Sequence, residues 1–278
     1  MADMTQPALD RIRRIALRIE YDGSRFHGWQ IQERHRTVQQ VLSDALADLL
    51  EHPVRLIGCS RTDTGVHALE HVSHFLTTGT IPADRLPFAL NSRLPSDLTA
   101  HEATEVGPEF HARYGTVSKT YRYLIHQNRT PSALLAGRAA FLPTPLDIDA
   151  MRAATAGLTG EHDFTAFMDA GSEVQTTIRR IDHLTVDQDG RLITIEVRGS
   201  GFLYHMVRIL SGTLVAVGQG KKRPEDMQSL ILARDRRQAG KTMPACGLYL
   251  TRVDYNPNIF AHDEAAGLRW TSGGRSHV

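Results

Sequence analysis

The chain has 278 residues, of which 41% are hydrophobic and 23% are charged, and its formal net charge is +1. This composition excludes an intrinsically disordered chain and supports a packed core in one large domain or two smaller ones. The longest apolar stretches are broken after about ten residues, too short to span a membrane. No signal-peptide segment follows the first methionine. We therefore expect a cytoplasmic protein in which Cys59 and Cys246 are free thiols.

Alternation of apolar and polar residues predicts strands along the whole chain. They are expected near residues 13–22, 53–59, 71–77, 98–105, 113–127, 176–188, 191–198 and 247–255. Asp189-Gly190 predicts a hairpin turn between two of these strands. Adjacent strands with helices between them indicate an α+β fold with a largely antiparallel sheet, rather than an alternating parallel fold.

Apolar residues at helical spacing predict the helices. They are expected after Thr37, near 83–93, from Asp147 to Gly157, over 203–217 and from Pro224. Thr37 and Asp147 are predicted N-caps, because their side-chain oxygens can accept a hydrogen bond from the first helical turn.

A polar break flanked by Pro143 and Pro145 lies near the middle of the chain. We predict that it separates a first α+β domain, residues 1–145, from a second, residues 146–278. The second domain is expected to end in a polar, irregular tail from about residue 256.

Basic residues form clusters that the net charge does not reveal. The clusters are Arg11, Arg13, Arg14 and Arg18; Lys221, Lys222 and Arg223; and Arg234, Arg236 and Arg237. Such clusters can line a track for RNA phosphates. They can equally be ordinary solvated faces, and the sequence leaves both interpretations open.

Patterns typical of cofactor and metal sites are incomplete. Gly199-Ser200-Gly201 lacks the third glycine of a dinucleotide loop, and Gly220-Lys221 lacks the rest of a phosphate loop. His67, His71 and His74 would need a shared face to bind a metal, but the strand-like pattern places His71 and His74 on opposite faces. We therefore predict neither a cofactor nor a bound metal.

The strongest local signal is the sequence RTDTGVHA at residues 61–68. An apolar strand is predicted to run into it, and Gly65 permits a tight turn. Asp63 would then lie on a sharp loop at a strand end, where reactive groups are often presented. Local features alone are equally compatible with a structural Asx turn.

This motif resembles the catalytic loop of the tRNA pseudouridine synthase A family. Further segments resemble family signatures in chain order: YDGSRFHGWQ at 21–30, FHARYGTVSKTYRY at 110–123, GEHDFTAF at 160–167, GSGFLYHMVRILSGTLVAVG at 199–218 and GLYLTRVDY at 247–255. The resemblance covers roughly residues 13–255. Ser60 and Ile209 stand where many relatives have glycine and asparagine, which leaves substrate preference open.

The resemblance implies both a fold and a reaction. The fold is two ferredoxin-like halves that share a mainly antiparallel sheet with a central cleft. The reaction isomerises uridine to pseudouridine at positions 38–40 of the tRNA anticodon stem-loop. The base leaves C1′, turns and rejoins through C5, so no cofactor is needed. Family members are homodimers, and the basic clusters would guide the anticodon arm across the two subunits.

The resemblance also assigns Asp63, Tyr121 and Arg208 to catalysis. Asp63 matches the family's catalytic aspartate, whose carboxylate attacks the sugar as a nucleophile or abstracts a proton; the sequence does not decide between these. Its charge needs a nearby cation in a dry pocket. Arg208 matches the family's basic partner, although an arginine in an apolar helix can also simply extend its charged end to water.

Tyr121, Arg61 and Leu248 are assigned to the substrate by the same resemblance. The Tyr121 ring would stack on the flipped base, and its hydroxyl would assist proton removal from C5. Strand parity places Tyr123 on the same face, so only the resemblance selects Tyr121. Arg61 would fill the space that the base leaves. Leu248 would form an apolar pocket wall, although a leucine there is also typical of a core.

Two other functions are compatible with the residues. An N-glycoside hydrolase would use Asp63 with Glu70 or Asp22 as acid and base, and would release free uracil. An RNA-binding or RNA-folding factor would use the same cleft without chemistry.

Overall fold

The computed structural model describes residues 12–171 and 174–260. These residues form two compact units: the first comprises residues 12–117 and 251–260, and the second comprises residues 118–171 and 174–250. Arg11 and the tail beyond residue 260 lie outside the described residues. The domain boundary near residue 145 stays a prediction.

The described residues contain strands and helices in the mixture that the sequence predicted. The strands are β1 (Arg13–Tyr21), β2 (Ile57–Gly58), β3 (His67–Thr77), β4 (Leu98–Val106), β5 (Thr116–Gln127), β6 (Ala140–Leu142), β7 (Gly160–Asp163), β8 (Ile178–Asp189), β9 (Leu192–Gly199) and β10 (Leu248–Tyr255). The α-helices are α1 (Val38–Leu50), α2 (Leu86–Asn91), α3 (Ile148–Thr155), α4 (Met206–Gly218) and α5 (Asp226–Ala233). None of these helices has the length and apolar character needed to cross a bilayer.

In the first unit the strand order is β4-β1-β3-β10, with β2 beside β3; the unit contains residues 251–255 of β10. β1 pairs antiparallel with β3 and β4, and β2 pairs antiparallel with β3. The strand predicted near 53–59 is thus reduced to the two residues of β2. The core includes Leu17 and Ile19 of β1 and Leu42 of α1, which are fully buried. Thr37 caps α1 as predicted, because its Oγ1 accepts a hydrogen bond from the Gln40 amide at 3.3 Å.

In the second unit the strand order is β5-β9-β8-β7, with β6 beside β5. The pairs along this order are antiparallel, whereas β5 and β6 are parallel. The hairpin predicted at Asp189-Gly190 joins β8 to β9, with Gly190 at φ +56°. Asp147 caps α3 as predicted by accepting the Ala150 amide at 2.9 Å. The short strands β6 and β7 were not predicted from the sequence.

Helix α4 begins later than its apolar pattern predicted. His205, the residue before the helix, has φ +60° and therefore cannot continue a helical turn. The helix is buried on nearly all sides, with Ile209, Leu210 and Leu214 at 0–1% exposure. A helix that is apolar all round belongs inside a unit rather than on its surface.

Candidate active site

Asp63 lies in the loop between β2 and β3 and is half-buried. Gly65 adopts φ +79°, the left-handed conformation that the tight turn predicted for this position requires. The Val66 amide donates to the Asp63 carbonyl at 3.1 Å and closes the turn. The turn therefore fixes the backbone that carries the Asp63 carboxylate.

The segment of residues 22–29 packs against this loop through its backbone. The Gly65 amide donates to the Phe26 carbonyl at 3.2 Å, and the Trp29 amide donates to the Thr62 carbonyl at 3.0 Å. The loop residues that form these bonds, Thr62 and Gly65, lie on either side of Asp63 in the sequence. The segment that resembles the family's opening loop is thus the physical support of the Asp63 loop.

Two glycines make this backbone contact possible. A Cβ on Gly28 would collide with the Thr62 carbonyl oxygen, and a Cβ on Gly23 would collide with the Val66 carbonyl oxygen. Gly28 also has φ +78°, which L side chains rarely adopt. Both positions therefore require glycine for a local reason that the sequence alone did not reveal.

Buried aromatic and polar side chains support the same loop. The hydroxyl groups of Tyr21 and Thr62 share a hydrogen bond of 2.9 Å. The His71 ring stacks on Trp29 with centroids 3.9 Å apart, and its Nε2 lies 3.0 Å from the Ser60 carbonyl oxygen. His71 is fully buried, so its ring is part of the packing beneath the Asp63 loop.

The other two histidines of the sequence motif have different surroundings. The Gly23 amide donates to His67 Nδ1 at 3.1 Å. His74 packs edge-on against Phe110, and burial, with the nearby charges of His111 and Arg14, lowers its pKa to about 4. His71 and His74 therefore contact different elements, as strand parity predicted. Within the described part of the chain, no three His, Cys, Asp or Glu side chains form a group that could hold a metal ion.

The carboxylates that a hydrolase would need beside Asp63 have structural contacts. Glu70 forms an ion pair of 2.9 Å with Arg18, and both side chains are only 14% exposed. Asp22 accepts the Ser24 amide at 3.0 Å and so caps a short 3-10 turn. Both carboxylates therefore stabilise the first unit, which weakens the hydrolase interpretation.

Arg61 differs from these charged residues because it is exposed. Among the residues that the structure describes, its guanidinium group has no hydrogen-bond or ion-pair partner. A guanidinium in water beside the Asp63 turn is free to bind an anionic group from outside the described residues.

Tyr121 and Tyr123 of β5 in the second unit can now be distinguished. The Tyr123 hydroxyl donates to the Pro244 carbonyl at 2.7 Å, and the side chain is fully buried. Burial, with the adjacent Cys246, raises the Tyr123 pKa far above its ordinary value. Tyr121 is 6% exposed, and its ring lies nearly perpendicular to the Phe202 ring with centroids 5.1 Å apart. Tyr123 is thus a core residue, whereas the assignment of Tyr121 to the substrate stays a prediction.

Arg208 lies in the first turn of α4 and is half-buried. Its Nε donates to the Met243 carbonyl at 2.7 Å, and the Met243 amide donates to the Arg208 carbonyl at 3.3 Å. One edge of the guanidinium is therefore anchored to the backbone of the chain before β10. Leu248, at the start of β10, is 6% exposed, as expected for either a pocket wall or a core residue.

Sequence reasoning missed a polar network around Asp169. This carboxylate accepts hydrogen bonds from His205 Nδ1 and Arg236 Nε, each at 2.7 Å, and from Thr242 Oγ1 at 2.8 Å. Burial acts to raise the pKa of Asp169, but these hydrogen bonds and the charge of Arg236 lower it to about 2. The network joins residues that are far apart in the chain, so no local pattern could have identified it.

The basic clusters are largely compensated by acidic side chains of the same unit. The ion pairs are Arg13–Glu105, Arg18–Glu102, Arg223–Asp226, Arg234–Asp163, Arg236–Asp169 and Arg237–Asp235. Arg14 donates to the Phe110 carbonyl. Arg18 has a side chain only 14% exposed and serves packing rather than a phosphate track. Lys221 is exposed and remains a candidate for phosphate contact.

Cys59 and Cys246 are free cysteines, as predicted. Cys59 is fully buried, whereas Cys246 is half-buried. Burial raises the pKa of the Cys246 thiol, because it disfavours the charged thiolate.

Comparison with known proteins identifies relatives over most of the chain. Residues 18–115 and 154–256 match the model of a protein family described as tRNA pseudouridine synthase. A protein of Ruminiclostridium cellulolyticum named tRNA pseudouridine synthase A is 46% identical over 245 residues, which are 88% of this chain and 100% of that protein. The protein of that name from Acetivibrio thermocellus is 45% identical, with the same shares of both chains covered. That from Coxiella burnetii is 42% identical over 88% of this chain and 94% of its own length.

Because Gly28 packs against the Asp63 loop, alanine should destabilise the protein more at Gly28 than at Gly190. Gly28→Ala and Gly190→Ala both place a side chain at positive φ, which costs about 1–2 kcal/mol. Only Gly28→Ala also drives a Cβ into the Thr62 carbonyl, because nothing lies within 4 Å of a Cβ on Gly190. Urea unfolding should therefore show a loss of unfolding free energy at least about 1 kcal/mol larger for Gly28→Ala. Equal losses would show that the contact with Thr62 is unimportant.

Proposed function

Since the chain belongs to the tRNA pseudouridine synthase A family, we propose that it isomerises the uridines at positions 38–40 of the tRNA anticodon stem-loop, with Asp63 as the nucleophile. Family membership itself makes the protein an isomerase that pseudouridylates tRNA. The position of the uridine and the roles of individual residues are the proposal. The observation that carries it is the Asp63 loop, whose backbone is fixed from both sides by the segment of residues 22–29.

In the proposed reaction Asp63 attacks C1′ of the target uridine, and the bond between C1′ and N1 breaks. The freed base turns until C5 faces C1′. A bond then forms between C1′ and C5 as the bond to the carboxylate breaks. The C5 proton leaves, and N1 takes up a proton. The sum is an isomerisation that consumes neither water nor electrons, so the proposal includes no cofactor.

A fixed backbone suits a nucleophile because catalysis rewards a reacting group held at short distance in the correct orientation. The turn closed by Gly65 and the bonds to Phe26 and Trp29 remove backbone freedom around Asp63 before substrate binds. The carboxylate then needs little reorganisation when the sugar arrives.

The neighbouring assignments come from the family resemblance, and the surroundings of each side chain are compatible with them. Arg61, exposed beside the turn, would occupy the space that the flipped base leaves in the RNA. Tyr121 would stack on the base and take part in removing the C5 proton. Arg208, oriented through Met243, would balance the charge of Asp63. Leu248 would form an apolar wall of the pocket.

The remaining parts of the proposal concern architecture and cellular setting. We propose that Asp63, Tyr121 and Arg208 act together in a cleft of two ferredoxin-like halves, divided near residue 145. We further propose a homodimer that works in the cytoplasm, where tRNA is modified. Both follow from the family resemblance. Lys221 and the exposed arginines of the basic clusters would supply the positive charge for the anticodon arm.

The proposal predicts tritium release from one set of uridines only. Unmodified tRNA with tritium at C5 of uridines 38–40 should release tritium to water, because C5 loses its hydrogen when it joins C1′. A tRNA labelled only at other uridines should release none. Asp63→Asn should lower the rate more than about 10³-fold, or about 4 kcal/mol of barrier, without abolishing tRNA binding. The matched control Asp149→Asn changes an exposed carboxylate on α3 and should leave the rate unchanged.

Other outcomes of this experiment identify the alternatives. Free uracil in place of pseudouridine would establish the hydrolase. Binding of tRNA without either product would establish a factor that lacks chemistry. Full activity of Asp63→Asn would refute the assignment of Asp63 while leaving the isomerase intact.

Removal of the hydroxyl group should affect catalysis at Tyr121 and protein stability at Tyr123. Tyr121→Phe should lower the rate of tritium release about 10²-fold, because the proposed hydroxyl assists proton transfer. Tyr123→Phe should leave the rate unchanged but lower the unfolding free energy by about 1 kcal/mol, because it removes the hydrogen bond to Pro244. Rate assays and urea unfolding of both variants check this, and a reversed pattern would assign the catalytic role to Tyr123.

A further inference from the structure

The Asp169 network joins three parts of the second unit at one carboxylate. One oxygen, Oδ2, accepts from His205 Nδ1 at 2.7 Å and from Thr242 Oγ1 at 2.8 Å. The other oxygen, Oδ1, accepts from Arg236 Nε at 2.7 Å. The Asp169 side chain is 27% exposed, so water competes with these donors only in part.

The first connection leads from Asp169 to the beginning of helix α4. His205 has φ +60°, and its carbonyl accepts the Ile209 amide at 3.0 Å, the first turn of the helix. The Asp169 carboxylate holds the His205 ring, and through it the residue at which the chain turns into the helix. The rotation of that first turn decides where the side chain of Arg208 points.

The second connection leads through the segment before β10. Arg236 donates to the Gly240 carbonyl at 2.9 Å and to Thr242 Oγ1 at 2.8 Å. Thr242 is followed directly by Met243, whose carbonyl accepts Arg208 Nε at 2.7 Å. The backbone atom that orients the guanidinium is thus one residue from a side chain held by Asp169.

We infer that Asp169 is a positioning residue, which fixes the Arg208 guanidinium by holding both the helix that carries it and the carbonyl that it contacts. The effect on catalysis rests on the proposed function, in which Arg208 acts in the reaction. The effect on the position of Arg208 does not. A side chain held from two sides keeps its place to within a fraction of an ångström, and a shift of about 1 Å in such a group can cost about 10²-fold in rate.

Asp169→Asn tests this inference with little change in shape. The amide keeps one acceptor oxygen but turns an NH₂ group toward a donor of the network. Asp163→Asn is the matched control: Asp163 is also half-buried in the second unit and accepts hydrogen bonds from Thr165 and Thr177. It also pairs with Arg234 at 3.0 Å, but it does not touch the helix start or Met243.

The first measurement is the solvent exchange of the Arg208 Nε–H proton, followed by nuclear magnetic resonance on the full chain. Its signal is identified by its absence in Arg208→Lys. The hydrogen bond to Met243 should protect this proton in the wild-type protein. The second measurement is the single-turnover rate of tritium release together with the dissociation constant for tRNA.

Asp169→Asn should speed exchange of the Arg208 proton at least 10-fold and slow turnover by 10- to 100-fold, with tRNA affinity within about 2-fold. Asp163→Asn should change neither exchange nor turnover. Unchanged exchange in Asp169→Asn would overturn the inference, as would equal changes in both variants. Faster exchange with full activity would support the positioning of Arg208 by Asp169 and refute the proposed role of Arg208 in the reaction. If the wild-type protein does not isomerise uridine, the proposed function fails, and the exchange measurement alone decides the inference.

Thr242→Val and Thr242→Ser provide a second test if Asp169→Asn does not fold. Valine has the shape of threonine but lacks the hydroxyl group that joins Asp169 to the segment before β10. Thr242→Val should therefore speed exchange of the Arg208 proton, and Thr242→Ser should restore protection. Equal protection in both variants would overturn the inference.

Discussion

The close backbone contact between the segment of residues 22–29 and the Asp63 loop is the constraint on which the rest of the account depends. Gly23 and Gly28 lie so near the loop that neither position has room for a Cβ. Amides and carbonyls of the two segments then bond directly, and Asp63 stands between these bonds in the chain. Buried rings, including Trp29 stacked on His71, pack beneath the Asp63 loop. The Asp63 carboxylate is thereby placed on an irregular loop that behaves like a rigid element.

In the second unit the Arg208 side chain is held in place by different contacts. Arg208 is carried by a helix, but a helix fixes its side chain only if its own start is fixed. Asp169 holds that start through His205 and holds the neighbouring chain through Thr242. The first unit thus uses close glycine contacts to position a carboxylate, whereas the second uses a hydrogen-bonded network to position a cation. In both, the residues that orient the functional group come from distant parts of the chain.

Signals that are local in the sequence predicted their structures well. Thr37, Asp147 and Gly65 act through neighbours a few residues away, so their caps and turn could be read directly. The strands β6 and β7 were missed because three or four residues show no clear alternation. Tyr121 and Tyr123 could not be separated by parity, since the distinguishing partner of Tyr123 is a carbonyl 121 residues away. The Asp169 network could not be predicted either, because its residues are far apart in the chain.

The most direct test of the central claim is a crystal structure of the Asp63→Asn protein bound to an unmodified anticodon stem-loop. A uridine at positions 38–40 should have left the RNA stack, with its C1′ within about 3.5 Å of the residue 63 side chain and its base against Tyr121. A uridine still stacked in the RNA, or one whose C1′ lies beside a different carboxylate, would contradict the assignment of Asp63 as the nucleophile.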